Sequence, residues 1–509
     1  MNSETKSRAQ YAFNNIIWGL IGKIVAIIGP FIIRSLMINK MGGEYVGLSS
    51  LFTSVLQVLN LAELGVSSAI VFSMYQPIAE ENKKKICALY NFYKRAYLVI
   101  GTVILIVGLI FIPFIPFLVS GDIPNNINLT YLYLIYLLNT VISYFMFGYK
   151  EALLTAYQRS DIASNVLTIS NIFLYLTQAV FIVLIPNYYI YSLMLPISTI
   201  FSNIIRSYVV DKMYPSLVCS GKLDTDEKKE LYKRIAGLML YKLSQVFRNS
   251  FDSIILSMFL GLMAVTKYQN YYYIMNSIAA LMSILSNSII AGIGNSVAIE
   301  SPQKNQKDMY VFYILYNWLS GWCTVCLLCL YQDFMELWLG RDYLLSMLMV
   351  VLFCVYFYSM RVGDIAAVYR QATGLWWEDK IRPVVESAVN LILNIIVVKY
   401  FGMAGVLIST IASIVFINIP WASYILYKYY FKASVIGYYK HIIVNALIVA
   451  FVMVVTYGIC NLVHLTGILA LISKGVICCI IPNALFIVIY YKTQEFKEGM
   501  NLLKRMVHR

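Results

Sequence analysis

The sequence predicts an all-α polytopic membrane protein. Of its 509 residues, 60% are hydrophobic and only 13% are charged, and the mean hydropathy is +0.72. Apolar runs of about 20 residues, each long enough to cross roughly 30 Å of hydrocarbon as a helix, recur along the whole chain. Because lipid offers no partner to free backbone groups, such runs are expected to be helical. The first run, after the tail MNSETKSRAQYA, is too long for a signal peptide core and is expected to remain as a span.

The apolar runs divide into about fourteen predicted spans. Only the stretch IPNYYIYS separates the fifth span from the sixth. In chain order the spans cover residues 13–37, 46–75, 96–119, 130–156, 164–186, 188–210, 236–260, 268–295, 310–331, 344–368, 383–399, 405–427, 442–463 and 468–491.

The lysine and arginine residues indicate how these spans are oriented. Loops on the side of the two termini hold 29 of the 39 basic residues, whereas the opposite loops hold only Lys40, Lys267, Arg341 and Lys399. Basic loops stay in the cytoplasm, so both termini are predicted to be cytoplasmic. The net charge of +14 therefore reflects topology and contact with anionic lipids, and it does not indicate nucleic acid binding.

An internal repeat relates the first twelve spans. Lys23 lies 19 residues before Gly42, and Lys242 lies 19 residues before Gly261. In the same register, YNFY at 90–93 matches YVFY at 310–313, and STI at 198–200 recurs at 409–411. Six spans in each copy give both copies one orientation. We therefore predict two pseudo-symmetric six-helix lobes around a central cavity, followed by two C-terminal helices.

These assignments divide the chain into five segments. The predicted order is an N-terminal lobe at 1–210, a cytoplasmic connector at 211–235, a C-terminal lobe at 236–430, helices 13 and 14 at 431–491, and a cytoplasmic basic tail at 492–509. The connector reads as a solvated amphipathic segment lying on anionic lipid.

Charged residues inside the spans are candidate functional residues. A charge at the bilayer centre costs on the order of 2.5 to 3.5 kcal/mol on insertion scales, so it usually faces a cavity or a partner. On the seventh span a polar stripe occupies one sector of about 120° on a helical wheel, formed by Lys242, Gln245, Arg248, Asn249 and Asp252. Such a stripe belongs against water. Six basic residues are left over from the loop count and lie within spans, namely Lys23, Arg34, Lys242, Arg248, Arg361 and Lys474.

Ion pairing is the alternative to a cavity for some of these charges. Arg361 and Asp364 at i, i+3 are predicted to form an intramembrane ion pair, and Arg248 with Asp252 at i, i+4 is a second such pair. Glu63 either titrates or balances a cavity cation, or it is hydrogen-bonded near the end of its helix.

The cysteines of the ninth span are interpreted as small packing residues. Cys323, Cys326 and Cys329 recur every third residue, but no histidine accompanies them. The cysteine pattern therefore does not predict a metal site.

Four sequence elements carry a family resemblance. They are MGGEYVGLSSLFTSVLQVLNLAELGVSSAI, DSIILSMFLGLMAVTKYQNYYYIMNSI, FMELWLGRDYLL and VNLILNIIVVKYFGMAGVLISTIAS. They resemble the hallmarks of Wzx-type oligosaccharide flippases, in the polysaccharide export branch of the multidrug/oligosaccharidyl-lipid/polysaccharide (MOP) exporter superfamily. The resemblance covers essentially the whole chain and implies a MATE-like transporter fold.

The resemblance also implies an activity. Such a protein would flip oligosaccharide repeat units, carried on undecaprenyl diphosphate, from the cytoplasmic to the outer leaflet for capsule, O-antigen or exopolysaccharide assembly. It would work by alternating access, coupled to a cation gradient or the membrane potential. Because the diphosphate is anionic, basic cavity residues can replace its hydration. The expected substrate-cavity residues are Lys23, Arg34, Lys242, Arg248 and Glu63.

A cation site follows from similarity to the lipid II flippases of the same superfamily. There an Asp on helix seven, an i, i+4 pair on helix eleven, and a Thr with a backbone carbonyl on helix twelve hold Na⁺. Asn394 departs from this pattern, which has a carboxylate there. The coupling ion stays open between Na⁺ and H⁺, and Asp252 could instead neutralise Arg248. The matching residues are Asp252, Asn390, Asn394, Val406 and Thr410.

Two other classes of protein compete with this interpretation. A cation-coupled drug exporter of the same superfamily shares the lobes but typically stops at twelve helices. A membrane polysaccharide polymerase or glycosyltransferase needs a sizeable external loop or a nucleotide-sugar domain, and the sequence has neither. We therefore expect a non-enzymatic, monomeric transporter without cofactors in the bacterial cytoplasmic membrane. Its expected partners are the lipid-linked oligosaccharide, anionic lipids, and polysaccharide polymerase and export machinery.

Overall fold

The computed structural model describes residues 8–63, 65–121 and 123–507. Within these ranges the side chains are described except at 8–18, 20, 61, 62, 160, 234, 236–249, 287, 291, 503 and 505–507. The described chain is helical throughout and contains no strand, which confirms the predicted all-α class. It forms two compact units, Met1–Thr266 and Lys267–Arg509.

The first unit contains nine helices and the start of a tenth. Short 3-10 segments occur at Asn60–Glu63, Ile112–Leu118 and Gly148–Lys150. The helices are α1 (Arg8–Lys40), α2 (Gly43–Leu59), α3 (Val66–Ala79), α4 (Lys83–Phe111), α5 (Leu129–Phe145), α6 (Glu151–Ala156), α7 (Ser160–Leu184), α8 (Tyr188–Met213), α9 (Thr225–Leu260) and α10 (Leu262–Ser288).

The second unit contains the rest of α10 and nine further helices. A 3-10 turn at Arg341–Tyr343 and π-helical segments at Ile414–Asn418 and Tyr427–Phe431 complete it. The helices are α11 (Ile290–Ile299), α12 (Pro302–Leu339), α13 (Met347–Val362), α14 (Asp364–Ala372), α15 (Arg382–Ser413), α16 (Ile419–Leu426), α17 (Ile436–Cys460), α18 (Gly467–Tyr490) and α19 (Gln494–Val507).

Many of these helices have the length and composition of membrane spans. Among the described residues, nine are long and apolar enough to cross a bilayer, or ten if α5 and the bent segment Gly148–Ala156 form one span. The chain is therefore a multi-pass membrane protein. Each of the fourteen predicted spans coincides with a helix, part of a helix or a broken helix pair, but the count of fourteen stays a prediction.

The helix breaks follow the predicted repeat. The second span breaks at Gly65, which has a left-handed φ of 93°, and the eighth breaks at Ile289, between α10 and α11. The fourth span bends by 51° near Phe147, which has φ of 61°. The tenth breaks at Gly363, between α13 and α14. The same two of six spans are thus interrupted in each copy.

Helix α9 is longer than the predicted seventh span and packs within the first unit. It is one 36-residue helix that begins inside the predicted connector, where Asp224 and Glu227 form a capping box. It lies against α2 and α3, and Ser250 Oγ donates to Gln57 Oε1 at 3.0 Å. The connector itself is packed rather than fully solvated, since Leu223 is buried.

Helices α17, α18 and α19, which follow the repeat, all pack on α12. Polar contacts fix this arrangement. Asn317 Nδ2 donates to Tyr490 Oη at 3.2 Å, and Trp322 Nε1 donates to the carbonyl of Cys478 at 2.8 Å. The two C-terminal spans are therefore anchored to one long helix of the second unit.

Candidate functional site

Two of the predicted cavity cations lie outside the described side chains. Lys242 and Arg248 are on the helical backbone of α9, but the side chains of 236–249 are not described. Their predicted roles on the polar stripe stay predictions. Asp252, one turn beyond Arg248, is described and is buried at 4% exposure in the first unit.

The remaining predicted cavity cations lie on α1. Lys23 is exposed and Arg34 is half-buried, and Pro30 is inside the helix. Helix α1 packs on α7 through glycine. A Cβ at Gly29 would lie 2.1 Å from a ring carbon of Tyr175, so only glycine permits this approach.

Glu63 is held by two tyrosines of the first unit. It ends the 3-10 segment Asn60–Glu63 at the break of the second span. Tyr97 Oη donates to Glu63 Oε1 at 2.6 Å, and Tyr144 Oη donates to Oε2. The carboxylate is half-buried. Phenol donors on both oxygens suit a charged carboxylate, and this carboxylate can balance a cation or accept a proton.

Four of the five predicted cation ligands are brought together in the second unit. Asn390 Nδ2 donates to Thr410 Oγ1 at 3.1 Å, and Asn394 Nδ2 lies 3.4 Å from Asn390 Oδ1. Thr410 Oγ1 in turn donates to the carbonyl of Val406 at 3.0 Å. All four residues are at most 2% exposed. Gly402, with φ of 56°, reverses the chain between the two halves of α15 and makes this meeting geometrically feasible.

This cluster offers neutral oxygens only. Amide and hydroxyl oxygens of this kind can ligate a hard monovalent cation, but a charged partner is needed to offset its desolvation. The predicted charged member is Asp252, which belongs to the first unit. The five-residue cation site therefore stays a prediction.

Arg361 and Asp364 form an ion pair at the break of the tenth span. Arg361 Nη1 lies 2.8 Å from Asp364 Oδ2. Tyr316 Oη donates to the same carboxylate oxygen at 2.5 Å, and Arg361 Nη1 approaches Ser283 Oγ at 3.4 Å. Arg361 is 8% exposed, so the pair joins α12, α13 and α14 inside the second unit.

Sequence reasoning missed two ion networks whose basic residues Lys150, Arg206 and Arg382 are buried. In the first unit Lys150 Nζ donates to Asp211 Oδ1 at 2.6 Å and to Ser207 Oγ at 2.7 Å. Next to it, Arg206 Nη2 lies 3.1 Å from Glu151 Oε2. Lys150 and Arg206 are each 8% exposed. In the sequence, the adjacent charged residues Lys150 and Glu151 near the end of a span are the feature that could have predicted this network.

The second network lies at the start of α15. Asp379 accepts from Arg382 Nε at 2.6 Å and from Arg382 Nη2 at 2.8 Å. Arg370 Nε lies 3.0 Å from the same carboxylate. Arg382 Nη1 also reaches Glu386 Oε2 at 3.2 Å, and Asn418 Nδ2 donates to that oxygen. Asp379, Arg382 and Glu386 are at most 5% exposed.

A cavity of about 910 Å³ lies within the second unit. Helices α10, α11, α12, α14, α18 and α19 supply its walls, which are mostly apolar and include Phe312, Leu315 and Ile365. Asp308 and Glu498 add carboxylates to the lining. This volume can hold a long apolar chain or a compact organic ligand.

Comparison with known proteins shows the fold. No protein-family model matches the sequence, and no curated protein sequence matches it either. Among solved structures, the lipid II flippase MurJ in an inward closed conformation superimposes with a TM-score of 0.69 at 15% identity. The match covers 94% of this chain and 98% of MurJ.

Drug transporters share the same architecture over less of the chain. An inward-facing multidrug resistance MATE family transporter of the MOP superfamily gives a TM-score of 0.60 at 12% identity, covering 80% of this chain and 95% of that one. The Vibrio cholerae MATE transporter VcmN gives 0.56 at 13%, covering 82% and 97%. These likenesses confirm the predicted fold class: the chain has the all-α fold that MurJ and the MATE transporters share.

Proposed function

We propose that this protein flips undecaprenyl-diphosphate-linked oligosaccharide repeat units from the cytoplasmic to the outer leaflet of the bacterial plasma membrane. The observation that carries the proposal is the extent of the likeness to MurJ. MurJ matches 94% of the chain and the MATE transporter 80%. The difference, 14% of 509 residues, is about 71 residues, which is the length of the segment 436–507 that holds α17 to α19.

The apolar cavity supports a lipid-linked substrate. Helices α18 and α19 form part of its wall, and these helices lie beyond the twelve spans of the repeat. An isoprenoid chain gains roughly 0.8 kcal/mol for each methylene that it buries, so an apolar cavity beside the lobe favours a lipid carrier. The residue pattern leaves the sugar itself undefined.

Basic residues are proposed to handle the headgroup. Lys23 and Lys242 are related by the repeat, and Arg34 and Arg248 lie three turns and nearly two turns from them. An arginine can grip a phosphate with two parallel hydrogen bonds. In this proposal the four cations replace the hydration of the diphosphate, while Glu63 balances their charge or takes up a proton when they bind substrate.

Alternating access is proposed to be coupled to a cation. The neutral oxygens of Asn390 and Thr410 would complete a site whose charge comes from Asp252. Because Asn394 is neutral, the site carries one negative charge, which suits either one Na⁺ or one proton on Asp252. Both termini would be cytoplasmic, the protein would act as a monomer among anionic lipids, and a polysaccharide polymerase and export machinery would receive its product.

Reconstitution tests the proposal. Purified full-length protein in liposomes, given an undecaprenyl diphosphate oligosaccharide, should move it between leaflets, and imposed Na⁺ or pH gradients should change the rate. We expect Lys242→Ala and Arg248→Ala to slow flipping at least tenfold, with Lys399→Ala as a control in a predicted external loop. Normal flipping by both cavity variants would contradict the diphosphate role.

A drug exporter is the second candidate function, because the MATE transporters share the fold at a TM-score of 0.60. The same liposomes distinguish the two. Uptake of organic cations with no movement of any lipid diphosphate would favour the exporter and overturn the flippase proposal.

A further inference from the structure

Three buried thiols meet where α12, α17 and α18 pack together. Cys329 lies on α12, Cys460 is the last residue of α17, and Cys478 lies on α18. Their Sγ atoms are all within 4.8 Å of one another. The residues are 6%, 1% and 1% exposed, respectively. Helices that are distant in sequence thus present their sulfur atoms to one point.

A fourth thiol borders the same cluster. Cys326 lies one helical turn before Cys329, on the same face of α12, and its thiol interacts with that of Cys478. Four thiolates around a tetrahedral Zn²⁺, each about 2.3 Å from the metal, have sulfur atoms roughly 3.8 Å apart. The Sγ atoms of Cys329, Cys460 and Cys478 are at most 4.8 Å apart, so these three need only a small contraction to reach that geometry, and Cys326 would supply the fourth sulfur.

An ion pair lies beside the cluster. Lys474 lies four residues before Cys478, and Asp333 lies four residues after Cys329, so each shares a helix face with a cluster cysteine. Lys474 Nζ lies 2.6 Å from Asp333 Oδ2. This ion pair links α12 to α18 one turn away from the cluster.

The ligand type identifies the class of metal. Among the described residues, the group that could hold an ion contains sulfur donors only. Thiolates select soft or borderline ions, and a closed tetrahedral sulfur site is typical of structural zinc. A hard ion such as Na⁺ or Mg²⁺ prefers oxygen donors, so this cluster is chemically separate from the predicted cation site.

We propose that Cys326, Cys329, Cys460 and Cys478 form a structural Zn²⁺ site that fastens α17 and α18 to α12. On binding, the four thiols release their protons to solvent and each sulfur donates an electron pair to the metal. All nine cysteines are free thiols in the structure, so no disulfide competes for these sulfur atoms. The site is independent of the transported substrate and would fix the helices that follow the repeat.

Metal titration of the full-length protein tests the site. Detergent-purified protein is reduced, stripped with a chelator and titrated with Co²⁺, which replaces zinc in tetrahedral thiolate sites and shows intense thiolate-to-metal charge-transfer absorption. We expect saturation at one Co²⁺ per chain, loss of the absorption when Zn²⁺ is added, and about one zinc per chain in protein purified without chelator.

Variants and thiol counting complete the test. Cys478→Ser should weaken Co²⁺ binding by more than about tenfold, whereas Cys354→Ser, a buried cysteine of the same unit outside the cluster, should bind as the parent protein does. The spectrum of the parent protein decides the matter even if a variant fails to fold. Absence of charge-transfer absorption in the parent would overturn the proposal. Seven reactive thiols instead of nine after denaturation would do the same, because they would reveal a disulfide.

Discussion

Asp379 joins two arginines in the second unit, and its replacement by asparagine is expected to destabilise the protein strongly. The carboxylate accepts two hydrogen bonds from Arg382, at 2.6 and 2.8 Å, and forms an ion pair with Arg370 at 3.0 Å. Asp379 is 3% exposed and Arg382 is 4% exposed. Water therefore cannot replace the carboxylate without opening the packed start of α15.

The expected magnitude follows from this burial. Asp379→Asn keeps the shape of the side chain but removes the negative charge that the guanidinium groups of Arg370 and Arg382 both contact. Removing one partner of a buried ion pair typically costs about 3 to 5 kcal/mol, because the other charge stays desolvated. A second change, Arg382→Met in the Asp379→Asn background, should recover part of that loss, since it removes one of the uncompensated charges.

Unfolding in detergent measures the effect. The free energy of unfolding is obtained from a denaturant titration that is monitored by tryptophan fluorescence. The matched control is Glu336→Gln, which breaks an ion pair with Arg341 whose side chains are 42% and 84% exposed. Such exposed pairs contribute about 0 to 1 kcal/mol. If Asp379→Asn reduces the free energy of unfolding by no more than Glu336→Gln does, the argument from burial is refuted.

Three further predictions concern the first unit. Glu63→Gln removes the carboxylate that accepts hydrogen bonds from two tyrosines. We expect the rate of flipping in liposomes to fall at least tenfold while the melting temperature changes little. An unchanged flipping rate would exclude a role for the charge of Glu63 in transport. The hydrogen bond from Lys85 holds the pKa of Glu227 below its ordinary value of 4.5. The pair therefore stabilises the fold above pH 4.5, and this contribution is lost as the pH falls further. We expect Glu227→Gln to reduce the free energy of unfolding by less than about 1 kcal/mol at pH 7. Its melting temperature should therefore be slightly lower than that of the parent protein at pH 7 and equal to it at pH 3. Gly29→Ala should cost about 1 to 3 kcal/mol, because its Cβ would lie 2.1 Å from a tyrosine ring on α7, whereas Gly19→Ala, with nothing within 4 Å, should not; equal melting temperatures would contradict the packing argument.

The apolar helices were predictable because each depends on local sequence. Apolar length indicates a membrane helix whatever its neighbours are, whereas the internal repeat stays a prediction. The breaks at Gly65 and Gly363 are less visible, since a glycine inside an apolar run does not by itself interrupt a helix. Their positions in the second and tenth spans are clear only in the folded chain.

Ion pairs were predictable only between residues that are close in sequence. The i, i+3 spacing places Arg361 beside Asp364, and their side chains are 2.8 Å apart in the structure. The third member, Tyr316, comes from α12 and could not be found by spacing. Lys150 and Arg206 lie near the ends of predicted spans and were counted with the cytoplasmic basic residues, because the positive-inside rule counts charges without regard to burial. Tertiary packing places both of them in the interior.

The cysteine cluster also depends on contacts between distant helices, which spacing along the sequence does not reveal. Spacing along α12 relates Cys326 to Cys329 and supports a packing role, because one helix face supplies at most two adjacent thiols there. Cys460 and Cys478 join them only when α17 and α18 fold back on α12. A metal site assembled from three helices leaves no local motif, unlike the paired cysteines of a zinc finger.

Ion pairing distinguishes the basic residues within spans that are free to bind a phosphate headgroup from those that are not. An arginine or lysine that is already paired with an acid inside the bundle must lose that partner before it can bind a phosphate, which lowers the affinity for phosphate. Arg361 and Lys474 are paired in this way with half-buried carboxylates, at 2.8 and 2.6 Å. Lys23 is exposed, and among the described residues it forms no ion pair. Under the proposed function Lys23 is therefore a better candidate than Arg361 or Lys474 for binding the diphosphate, and the predicted repeat extends the same reasoning to Lys242.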